Sequence, residues 1–69
     1  MTNRGTYRFT VKEGHNGQPF LALEPAGASL PLLERGQLSM DLAAGTSLED
    51  ARVLANTLNR LLPSIAYTP

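Results

Sequence analysis

The sequence predicts a small two-layer α+β domain, an antiparallel sheet of three or four strands with one C-terminal α-helix packed on one face. Three observations carry this. Residues 6–12 and 37–43 alternate apolar and polar with period two, residues 51–62 place apolar side chains at helical spacing, and the strands come before the helix with short connections.

The first strand is the clearest. Tyr7, Phe9 and Val11 fall on one side of residues 6–12, and Thr6, Arg8, Thr10 and Lys12 on the other. Gly14-His15-Asn16-Gly17 then reads as a turn, in which both glycines can take positive φ. Phe20-Leu21-Ala22-Leu23 follows and is stopped by Pro25 and Gly27, completing a hairpin. This run is apolar on both faces, which predicts a central or doubly covered strand.

Residues 25–36 hold Leu30, Pro31, Leu32 and Leu33. So long a structureless loop is unusual in a small domain. The segment is expected to contain a short extended piece, where an edge tolerates proline, with one helical turn as the alternative. In residues 37–43, Leu38, Met40 and Leu42 are expected on the buried face, opposite Gln37, Ser39 and Asp41.

The helix start carries a capping signal. Thr46 with Glu49 fits a capping box, and Ser47 with Asp50 fits the register one residue later. Glu49 and Asp50 lie in the first turn, where the helix dipole favours negative charge. Ala51, Leu54, Ala55, Leu58, Leu61 and Leu62 are expected to form the buried face, with Arg52, Asn56, Asn59 and Arg60 on the other side. Pro63 ends the helix. Residues 64–68, with Ile65 and Tyr67 on a common side, offer a terminal strand.

Sixty-nine residues make a single domain spanning residues 1–69. A chain of this size buries only about 60% of the surface its unfolded form exposes. Its core supplies roughly 3–5 kcal/mol of net stability. With no cysteine and a single histidine, neither a disulfide nor a thiolate zinc site can staple it. Tight packing and self-association are the remaining routes, which makes a homodimer the expected state.

Six Lys or Arg balance six Asp or Glu. Nucleic-acid binders draw much of their affinity from basic excess, so this balance points away from nucleic acid. No segment approaches the roughly 18 apolar residues of a membrane span, and no apolar signal stretch opens the chain. The expected location is the cytoplasm.

Catalytic chemistry finds little to use. His15 sits in a glycine-flanked turn without partners at a defined spacing, and a lone histidine is rarely a catalyst. There is no cysteine nucleophile and no Gly-x-Ser-x-Gly motif. Glu49 and Asp50 are adjacent but point about 100° apart on a helix, and their place in its first turn accounts for them. Gly14-His15-Asn16-Gly17 lacks both the spacing and the following helix of a phosphate loop. No cofactor or metal is expected, and the chain reads as a non-enzyme.

Two regions are candidate interaction surfaces. Arg8 and Lys12 share the outward face of the first strand, where they read as charges that discourage edge-to-edge aggregation or as contacts for an acidic partner. Val53 lies off the apolar helix face near Thr57 and Arg60, and Leu30, Leu32 and Leu33 add apolar surface beyond what three strands and a helix cover.

Gly45-Thr46-Ser47-Leu48-Glu49-Asp50-Ala51, following a hairpin and a strand, resembles the Gly-x-Thr-x-Glu-Glu-Ala entry to the helix of HicB-type antitoxins. The family's Pro-x-Leu-Pro-Gly segment is absent, and Leu30-Pro31-Leu32-Leu33-Glu34 stands in its place. The resemblance implies a dimer of three strands and a helix that neutralises a small ribonuclease. Three functions are therefore expected in order: a homodimeric interaction or structural module, an antitoxin-like partner of a nucleic-acid-acting protein, and a small-ligand binder at a subunit interface.

Overall fold

The computed structural model describes residues 2–69, in the order β1 (Asn3–Gly5), β2 (Tyr7–Glu13), β3 (Pro19–Pro25), a 3-10 turn (Pro31–Leu33), β4 (Leu38–Asp41), α1 (Leu48–Leu61) and β5 (Ile65–Tyr67). Strands β2, β3 and β4 form one antiparallel sheet with β3 in the centre, as its two apolar faces require. The helix follows the sheet in sequence and packs on β2 and β3. The molecule is an α+β domain.

Register sorts the side chains into two faces. Phe9 pairs with Leu23, Val11 with Leu21, and Leu21 and Leu23 in turn with Met40 and Leu38, so these residues share the face beneath the helix. Tyr7, Phe9, Leu21, Leu23, Leu30 and Ala55 form the buried cluster. The opposite face carries Arg8, Thr10 and Lys12 from β2, with Glu24, Ala22 and Phe20 opposite them.

Three expectations need correction. The terminal strand exists, but β5 does not join the three-stranded sheet. It pairs with β1, Asn3 opposite Tyr67 and Gly5 opposite Ile65, in a separate two-stranded sheet. Strand β1 has too little apolar alternation to be read from sequence. The extended piece expected in residues 25–36 is instead one 3-10 turn opened by Pro31, whose fixed φ suits a first helical position. Of the two cap registers that the sequence offers, the one at Ser47 is observed, its hydroxyl accepting the Asp50 amide at 3.0 Å. Thr46 is occupied elsewhere, donating its hydroxyl to the Ala43 carbonyl at 2.6 Å across a turn that Gly45 closes at φ +85°.

The third correction concerns the helix face. Ala51 and Ala55 are buried and Leu58 is half-buried, but Leu54, Leu61 and Leu62 are exposed. Alanines let the helix sit close to β2, so the longer leucines beside them project past the contact. A second side chain completes the seat. The Asn59 carboxamide donates to the Phe9 carbonyl at 2.9 Å and accepts the Phe9 amide at 2.7 Å, behaving like a neighbouring strand. Phe9 lies on an outer strand of the sheet, so this pairing satisfies backbone groups that β3 leaves open.

The N-terminal ribbon is held by a tight contact. Gly5 is buried, and a Cβ there would collide with the Tyr7 ring and lie 3.1 Å from the Ala28 carbonyl and 3.2 Å from Leu30. The Tyr7 hydroxyl accepts the buried Leu30 amide at 2.6 Å, and Thr6 exchanges backbone hydrogen bonds with Ala26 and Ala28. Thus β1, β2 and the loop after β3 interlock at one point.

Gly5→Ala overpacks this point and is expected to cost about 1–3 kcal/mol, read as a fall of several degrees in melting temperature. Asn59→Ala removes two hydrogen bonds, each worth about 0.5–1.5 kcal/mol. It is expected to lower the unfolding free energy and to speed hydrogen exchange at the Phe9 amide, while β3 amides change only with global stability. Unchanged exchange at Phe9 would refute the clamp.

Candidate interaction surface

The structure divides the sequence-predicted surface among three places. On α1, Val53 is 60% exposed and Arg60 is exposed, and Thr57 is half-buried between them along the helix. Thr57 donates its hydroxyl to the Val53 carbonyl at 3.0 Å. With that polar group spent inside the helix, its methyl is left for apolar contact. Leu54 and Leu61 flank this line, Leu61 at 59% exposure. By helical spacing Asp50, Val53, Leu54, Thr57 and Leu61 follow i, i+3, i+4, i+7 and i+11, a continuous stripe turned away from Ala51 and Ala55.

The three leucines before β4 separate. Leu30 is 2% exposed and belongs to the core, which corrects its assignment to the surface. Its position beneath Gly5 and its amide bond to Tyr7 explain the burial. Leu33 is half-buried against the same core. Only Leu32 is exposed, beside a cleft of about 330 Å³ that Asn3, Leu30, Pro31 and Tyr67 also line.

Arg8 and Lys12 lie on the sheet face opposite the helix, apart from the stripe. Arg8 is exposed. Lys12 pairs with Glu24 at 3.3 Å. Their register positions lie on either side of the Thr10–Ala22 pair, so the two long chains meet across it, and Ala22 is fully buried. The Thr10 hydroxyl, and then the Lys12 ammonium by hydrogen bond and charge, hold the Glu24 carboxyl below its ordinary value.

Sequence reasoning missed Asn59 and Leu38. Asn59 continues the line of Ala51 and Ala55 at four-residue spacing, and a polar amide on a stripe of buried small residues signals a backbone partner. Leu38 has the expected facing but is 47% exposed, because the helix rests on β2 and β3. Leu38 on β4 and the apolar flank of α1 are thus both uncovered, while Met40 packs half-buried against the core.

Titratable groups do not converge. His15 is exposed in the hairpin turn, and among the described residues no three His, Cys, Asp or Glu side chains are grouped to hold a metal. A fourth region, between Arg8 and Thr10 on β2 and Arg52, Asn56 and Asn59 on α1, is a shallow polar cleft. Among the described residues, no helix is long and apolar enough to cross a membrane. No protein-family model matches the chain, and no similar curated protein or solved structure was found. The likeness to HicB-type antitoxins accordingly rests on the helix entry and the strand-strand-strand-helix order.

Because Glu24 is stabilised as the carboxylate, its contribution to stability is present above the ordinary carboxylate range and is lost as pH falls through its lowered value. Carbon-detected titration is expected to show Glu24 protonating below an unperturbed glutamate, and Thr10→Val or Lys12→Gln raising that midpoint. An unchanged midpoint in both variants would remove the proposed cause. The effect on folding is small, since both partners are about two-fifths exposed.

Proposed function

We propose that the chain is a non-enzymatic protein-interaction or structural module, acting in the cytoplasm as a homodimer. The observation that carries this reading is the gathering of exposed large apolar side chains on α1, where Val53, Leu54 and Leu61 are all accessible. Single exposed apolar residues are ordinary, whereas a contiguous group on one element marks an interaction site. Balanced charge supports a protein partner over a nucleic acid and puts no net repulsion between copies.

A regulatory subunit of a nucleic-acid-acting protein is the second reading, supported by the three strands followed by a helix with an acidic first turn. The two readings separate by mass. Native mass spectrometry of the protein gently purified from its host and concentrated well above the micromolar range is expected to give twice the chain mass. A stoichiometric complex with a different protein would replace the homodimer with the regulatory reading, and a monomer without companions would sink both.

A further inference from the structure

Resting on the homodimer reading, we propose that the partner surface is the α1 stripe itself: two copies pack antiparallel about a two-fold axis near Thr57, each covering the other's Val53, Leu54 and Leu61. The occupant is a second copy of this chain because the stripe is complementary to itself in charge and in shape.

Charge sets the direction. Glu49 and Asp50 stand in the first turn of α1 and Arg60 in the last. Parallel packing places acid against acid and base against base. An antiparallel pair brings the acidic end of each helix to the basic end of the other and opposes the two helix dipoles favourably. With the axis near Thr57, Asp50 lies beyond the partner's Arg60 by about four residues, or roughly 6 Å of helix rise, a distance an extended arginine spans. Arg52 takes no part, since it lines the polar cleft with Arg8 on the other flank of the helix.

Shape sets the fit. At the axis the Thr57 hydroxyl is already bonded to the Val53 carbonyl, so two Thr57 methyls meet without stranding a donor. Val53 then lies level with the partner's Leu61, and Leu54 level with the partner's Arg60, about one turn to either side of the axis. A helix face of 14 residues is about 21 Å long. Its exposed stripe is a handful of residues against the roughly 20–30 a side of a standard interface, so the association belongs to the weak class.

The test is sedimentation equilibrium of the full chain from micromolar to millimolar concentration, with far-ultraviolet circular dichroism as the folding control. Leu61→Lys and Val53→Arg alter exposed positions and are expected to stay folded while weakening dimerisation at least tenfold. Arg60→Glu alone is expected to weaken it, and Arg60→Glu combined with Asp50→Arg to restore it toward the parent value. A parent dimer that both stripe variants leave intact overturns this interface and spares the homodimer reading. A dimer weakened by the stripe variants but indifferent to the charge reversals overturns the antiparallel arrangement. A parent chain that stays monomeric at millimolar concentration overturns the interface and the homodimer together.

Discussion

The carboxamide of Asn59 fixes where everything else can be. A three-stranded sheet with β2 at its edge has open backbone groups on that strand, and a helix lying over the sheet could slide across it with little change in apolar contact. By donating to the Phe9 carbonyl and accepting the Phe9 amide, Asn59 ties the helix to the β2 side. Ala51 and Ala55 permit the close approach that brings the amide within reach. The same interaction that seals one edge position therefore leaves β4 without a helix above it and turns Leu54 and Leu61 outward.

A second constraint acts at the other end of the molecule. Gly5, Tyr7 and Leu30 occupy one crowded point at which the first sheet, the second sheet and the loop after β3 all meet. Tyr7 contributes there in two ways, its ring filling the core and its hydroxyl satisfying a buried amide that the 3-10 turn leaves free. The chain ends are joined beside it, with β1 and β5 paired and Thr2 and Thr68 hydroxyls 2.9 Å apart. The small two-stranded sheet thereby returns the C-terminus to the core, where Ile65 packs. The two-stranded sheet could not stand alone, since an isolated pair of strands is marginal in water.

What was legible in the sequence follows from how far each signal reaches. The alternation of Tyr7, Phe9 and Val11, the doubly apolar run of β3 and the helix between Ser47 and Pro63 are local patterns, and each is present in the fold. The pairing of β1 with β5 joins residues sixty or more positions apart, and three-residue strands such as Asn3–Gly5 carry no period to read. Periodicity also identifies which side of an element is apolar without saying how much neighbouring structure exists to cover it. That is why Leu38 faces as expected yet stays accessible, and why half of the expected helix face is in solvent. The candidate surface was legible in Val53, Thr57 and Arg60. Leu54 and Leu61 were assigned to the core, because apolar spacing cannot separate a residue that packs inward from its neighbour one step round the helix.

The division of labour along α1 gives that exposure a physical sense. Among the described residues, only eight hydrophobic side chains are buried, and two of them are the helix's own alanines. Alanine removes little area from water, so the helix contributes less to the core than its leucine content suggests, and much of its apolar area faces outward. In a domain whose stability is a few kcal/mol, covering that area by a second copy would add stability by mass action, in proportion to the logarithm of concentration. Folding and association are thus coupled through one element: the face that fastens the helix to β2 is narrow because it is built on alanines and an amide, and the leucines it displaces become the surface on which another chain can rest.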